Sequence, residues 1–188
     1  MVEELLEHFR EIREAPWKPL GTIPAVSLAV VFLVVLLVEG MSREGWVPLL
    51  DGVNLVFHEA GHPIFGIFGS FNLAYLGGTL MQLLVPLAVL GSFWMKRQTA
   101  GAAFAGFWFF QNFLNIARYM ADARAQLLPL VGGGEHDWET LFGHWGLLHR
   151  DTAIAGTVRS LGWIGMLACA AWLAWQWYRS RGVQEEEA

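Results

Sequence analysis

The sequence predicts an all-α, polytopic membrane protein with about five transmembrane helices. Of its 188 residues, 55% are hydrophobic and only 15% are charged, against about 25% charged in ordinary soluble domains. Five apolar segments follow one another, each near the ~20 residues a helix needs to cross a hydrocarbon core. Ten tryptophans suit positions at membrane–water interfaces. We read one membrane domain over 1–188, multi-pass in a bacterial cytoplasmic membrane, with the lipid bilayer as its surroundings. The formal net charge of −5 comes largely from the two ends, MVEELLEHFREIREAP and QEEEA, so it indicates no charged partner. No basic patch with interleaved aromatics is present, which argues against nucleic acid. The single cysteine, Cys169, lies in the apolar run MLACAAWLAW and rules out an intrachain disulfide framework.

Residues 1–19 are expected to form an amphipathic surface helix. Leu5, Leu6, Phe9 and Ile12 share one face, with Glu and Arg on the other. Pro16 and Pro19 end it. This acidic start is unlike a cleavable leader, so the first apolar stretch is expected to stay as an anchor. The first four spans fall within 20–121, at 23–38, 47–68, 73–94 and 100–121. A last span covers 158–180, and 181–188 is a tail. The glycine-punctuated stretch 66–78, GIFGSFNLAYLGG, is expected to be a loop or a re-entrant segment, which irregular backbone can form only where protein or water satisfies it. Residues 122–157 form a polar loop with a turn at 132–134 and a short helix from about Asp137. The count of basic residues favours an internal N-terminus by a narrow margin.

Chemistry concentrates in VFHEAGHP, residues 56–63. His58 and His62 are four apart, so a helix places both rings on one face, one turn apart. Glu59 lies beside them. Two histidines at this spacing with an adjacent glutamate form the pattern in which the rings bind zinc and the carboxylate acts as general base. The alternative is three polar groups satisfied by neighbouring helices. The cost of burying ionisable groups in a membrane favours the metal. A catalytic zinc takes three protein ligands and a water. The candidates for the third are Asp122, His136, Asp137, His144, His149 and Asp51. Asp51 shares the helical face of His58 but stands about 10 Å away along the axis, too far to be a co-ligand. Asp122 is preferred, because Gln111, Asn115, Arg118 and Asp122 form one polar stripe on the fourth span, and such a stripe must face the protein interior. An Arg118–Asp122 ion pair is the competing reading. His136, in GGEHDW, is the alternative third ligand. His144 and His149 read as ordinary interfacial residues.

HEAGH, then GGTLMQLLVP, then an asparagine-containing helix ending in aspartate, resembles the site-2 protease family of intramembrane zinc metalloproteases. The match covers residues 51–126. The resemblance implies Zn2+ as cofactor, His58, His62 and Asp122 as its ligands, and Glu59 as the catalytic base. Gly78 and Gln82 sit where the family has a glycine and an amide, and Asn112 or Asn115 where it has an asparagine. Gln82 stands in place of the family's Asn, and Asp122 lacks the Leu-Asp-Gly context. The implied activity is hydrolysis of a peptide bond in a membrane-protein or peptide substrate, with Gln82, Asn112 and Asn115 as candidates to hold substrate or an oxyanion. Structural hydrogen bonding between helices is the competing role for these three amides. The alternative function is a non-catalytic zinc-binding subunit, or a pseudo-protease, in a larger membrane complex with partner subunits.

Overall fold

The computed structural model describes residues 1, 7, 10–11, 14–42, 45–131 and 134–186, with the side chains of 183–186 excepted. The expected apolar face of the N-terminal helix, Leu5, Leu6, Phe9 and Ile12, lies outside the described residues, as does most of the turn at 132–134. Among the described residues the fold is all helical, with no strand. Helix α1 is Thr22–Met41, α2 is Pro48–Gly66, α3 is Phe71–Met95, α4 is Thr99–Ala121, α5 is Asp137–His144 and α6 is Asp151–Glu186, preceded by a 3-10 turn at Leu148–Arg150.

Three of these stretches are long and apolar enough to span a membrane: α1, α3 and Leu148–Gly182. At about 1.5 Å per residue, the 20 residues of α1 reach ~30 Å, the thickness of a hydrocarbon core. Val30, Leu33, Val34 and Leu37 of α1 are exposed, as are Ile164, Leu167 and Trp175 of α6. A helix that is apolar all round yet exposed on the protein's surface fits a lipid environment. Helices α2 and α4 do not reach the same hydropathy, because each carries polar groups on the face it buries. For α2 these are Asp51, Asn54 and His58. For α4 they are Gln111 and Asn112.

Helix α4 is the centre of the bundle. It packs along α6 on one side and α3 on the other, and α3 packs in turn against α2. Phe107 of α4 stacks on Phe32 of α1 with ring centroids 3.9 Å apart, and Leu114, Met166 and Leu173 complete that core. A second core seats the short α5. Its Trp138, Leu141 and Phe142 pack with Ile116, Ala117 and Met120 of α4 and Ala155 of α6. This second core holds α5 against the half of the bundle that carries the histidines.

The segment 66–78 differs from the expected loop. It is a tight turn at 67–70 followed by the first two turns of α3. Gly69 supplies the turn with a φ of +66°, a conformation that glycine adopts without strain. Gly77 serves packing instead. A Cβ on Gly77 would stand 2.6 Å from the carbonyl oxygen of Gly61, and one on Gly61 would collide with the carbonyl of Gly77. The two glycines therefore bring α2 and α3 into backbone contact, as small residues do between membrane helices.

Between α1, α2 and α4 lies a buried polar network. The Gln111 amide donates to Asp51 at 2.7 Å and to Glu39 at 3.1 Å. Its Oε1 accepts from Asn54 at 2.9 Å, and Asn54 accepts from the Trp108 indole at 2.7 Å. Asp51 also accepts from the Val47 N–H at 2.8 Å, which satisfies a backbone donor at the start of α2. Asp51 thus starts the helix that carries the histidines.

Candidate metal centre

His58 and His62 lie on α2 with ring centroids 4.9 Å apart, as their four-residue spacing requires. Each ring has its Nδ1 engaged. His58 Nδ1 stands 3.2 Å from Gln82 Oε1, and His62 Nδ1 stands 2.9 Å from the carbonyl of Ala74. Both partners are acceptors, so each Nδ1 carries the proton. The Nε2 atoms then point to a common place. That assignment of the ring through its other nitrogen is usual for metal-binding histidines.

Asp137 occupies that place. Its Oδ2 is 2.9 Å from His58 Nε2 and 3.3 Å from His62 Nε2. The three residues offer one ligand atom each, all within 4.8 Å of one another, and could hold a metal ion. The donor set fits one. Two imidazole lone pairs facing a carboxylate oxygen repel each other unless a cation, proton or metal, lies between them. Burial opposes charge on Asp137, but His58 and His62, where protonated at Nε2 as well, outweigh it through hydrogen bonds and hold the carboxyl below its ordinary range. Asp137 is also the first residue of α5, where the positive end of the helix dipole favours an anion. Its own N–H donates to the Tyr119 hydroxyl at 3.1 Å.

The third position therefore differs from the expectation. Asp122, the expected ligand, ends α4 and turns its carboxylate to the chain that follows. It accepts from the N–H groups of Leu127 at 2.9 Å and Leu128 at 3.0 Å. His136, the alternative, caps α5 instead, its Nδ1 accepting from Glu139 N–H at 3.2 Å. Burial pushes the His136 imidazole below its ordinary pKa, with Asp122 and Asp137 pulling the other way. Arg118, expected either along the polar stripe or paired with Asp122, has its guanidinium over the Trp46 ring at 4.9 Å. His144 lies against Phe71, ring centroids 4.7 Å apart.

The amides divide by role. Gln82 holds His58 through Oε1 and donates through Nε2 to Asn115 at 2.7 Å. Asn112 is fully buried, donates to the Trp108 carbonyl at 3.0 Å and does not line the cavity at the histidines. Gly78 leaves room for the His58 ring, since a Cβ there would stand 2.6 Å from His58 Nε2.

A cavity of about 1170 Å³ opens onto this cluster. Glu59, Gln82, Asn115, Tyr119 and Asp137 line it, and the apolar strap from Leu127 to Val131 forms one wall. Glu59 is exposed. Tyr75 bridges across the mouth to Glu135 at 2.7 Å. Sequence reasoning passed over Tyr119 and ranked Asp137 below its neighbours. The available signal was the helix start in EHDWET, where His136 is the cap and Asp137 the first helical residue. Set against protein-family models, curated proteins and solved structures, the chain matches none.

Proposed function

We propose that the chain is a five-span intramembrane zinc endopeptidase, similar to the site-2 protease family, in which α2 and α4 cross the membrane inside the three more apolar spans. The observation that carries this reading is the convergence of His58 Nε2 and His62 Nε2 on one oxygen of Asp137, with Glu59 beside them in an open cavity. Two ligands of tetrahedral zinc, at bond lengths of about 2.0–2.1 Å, stand roughly 3.3 Å apart. The spacing of 3.3 Å from His62 Nε2 to Asp137 Oδ2 suits that geometry, and the 2.9 Å from His58 Nε2 would have to open by about 0.4 Å to admit the ion. Zinc bound there would polarise a scissile carbonyl and acidify water.

The protein's own groups do the rest. Glu59 makes no hydrogen bond among the described residues, so its carboxylate is available to take a proton from water and pass it to the leaving amine. Tyr119 accepts from Asp137 N–H, and its own O–H has no acceptor among the described residues. The Nδ2 group of Asn115 is in the same position. Both line the cavity and can donate to the carbonyl oxygen of a bound peptide. Gln82 uses both ends of its amide on protein, so we assign it to orienting His58. The apolar strap 127–131 suits a hydrophobic peptide segment from a membrane protein.

The test is Glu59→Gln in protein reconstituted with a model transmembrane substrate. Cleavage should be lost while about one zinc per chain remains. Cleavage that survives the substitution would remove Glu59 as the base. A wild-type protein that keeps zinc and cuts nothing would favour the non-catalytic zinc subunit.

A further inference from the structure

We propose that Asp122 is a positioning residue for the metal centre: its carboxylate clamps both ends of the loop that delivers Asp137. The proposal rests on the reading that Asp137 is the third ligand. A carboxylate at the C-terminal end of α4 faces the negative end of that helix's dipole, so its place needs another cause. Asp122 is only 8% exposed, and its oxygens face the N–H groups of Leu127, Leu128 and His136. Oδ1 accepts from Leu127 and Oδ2 from Leu128, which fixes the near end of the loop. Oδ2 also stands 3.5 Å from His136 Nε2, at the far end, next to the ligand.

His136 makes this contact directional. Its Nδ1 accepts from Glu139 N–H, so the ring proton sits on Nε2, and Nε2 is buried with no closer partner. The Tyr119 ring packs on the imidazole, centroids 4.2 Å apart, and the Tyr119 hydroxyl takes the N–H of Asp137. The chain of contacts runs from Asp122 through His136 to the first turn of α5, where Asp137 begins. The two oxygens of this aspartate accept from two N–H groups and stand 3.5 Å from a third. An asparagine of the same size would turn an NH2 group toward one of those donors.

Asp122→Asn in the full chain tests this by chelator competition for zinc, by the Co(II) absorption spectrum and by amide hydrogen exchange in the metal-free protein. The zinc dissociation constant should rise about 10–100-fold, as for loss of a group that orients a ligand. The Co(II) bands should stay at their wild-type wavelengths, because the ligand set is unchanged. The Leu127 and Leu128 amides should exchange faster without metal. Wild-type affinity in Asp122→Asn would overturn the proposal. So would a Co(II) spectrum shifted as in Asp137→Asn, which would make Asp122 a ligand. If wild-type protein bound neither metal, the metal reading alone would fall. Exchange at Leu127 and Leu128 would still decide the clamp, since unchanged rates would refute it.

Discussion

His58 and Asp137 are 79 positions apart in the chain, yet His58 Nε2 lies 2.9 Å from Asp137 Oδ2. Nothing local joins them. The contact exists because α2 and α3 meet glycine to glycine, α4 lies behind them, and the loop after α4 folds α5 back over the histidines. The short helix is held there by Trp138, Leu141 and Phe142, a packing that does not involve the carboxylate. The site is thus half helix face and half docked element.

That division predicts how Asp137 behaves. Asp137→Asn should weaken zinc binding by more than the roughly 100-fold expected for a group that only orients a ligand. The helical content should be kept, because the apolar seat of α5 is intact. Conversely, chelating the metal from wild-type protein should speed amide exchange across α5 more than across α4. Zinc competition and exchange mass spectrometry read the two effects. Unchanged zinc affinity in Asp137→Asn would remove it from the ligand set.

Gly78 gives a steric test of the same centre. Gly78→Ala puts a methyl group 2.6 Å from His58 Nε2. Helix α3 has little freedom to retreat, since Gly77 beside it is already against Gly61. The histidine must rotate or the helices must part, at a cost of about 1–3 kcal/mol. Both lower zinc affinity. Gly91→Ala is the control, because a Cβ at Gly91 meets nothing within 4 Å; it should leave zinc affinity unchanged and the melting temperature at or slightly above wild type. Equal behaviour of the two variants would contradict the close approach at Gly78.

The histidine pair and its glutamate were legible because helical spacing alone puts them together. Gln82 was legible as an amide near the site, but its partner was not. Two asparagines three apart, Asn112 and Asn115, offered no means of choosing between them. The phase of α4 decides it, turning Asn115 to Gln82 and Asn112 to the Trp108 carbonyl. Asp122 drew the expectation because a carboxylate on a polar helix stripe has two uses, and at the helix end it accepts from the Leu127 and Leu128 N–H groups. Asp137 was obscured because its place depends on the path of a loop. The glycines of 66–78 suggested irregular backbone, whereas two of them mark helix contacts.

The polar stripe on α4 carries one more distinction, between groups that serve the site and groups that serve the bundle. Gln111 donates to two carboxylates, Asp51 and Glu39, and accepts from Asn54. All four are buried, and none lines the cavity at the histidines. Gln111→Leu would leave the acceptors and Asn54 short of partners, each at about 1–3 kcal/mol. A melting temperature well below wild type is expected, with zinc per chain unchanged in the folded fraction. The indole of Trp108 should also lose order, since it is tied to the network through Asn54. Loss of zinc from a Gln111→Leu protein of wild-type stability would instead join the network to the metal centre, one helical turn away through Asn54 and His58.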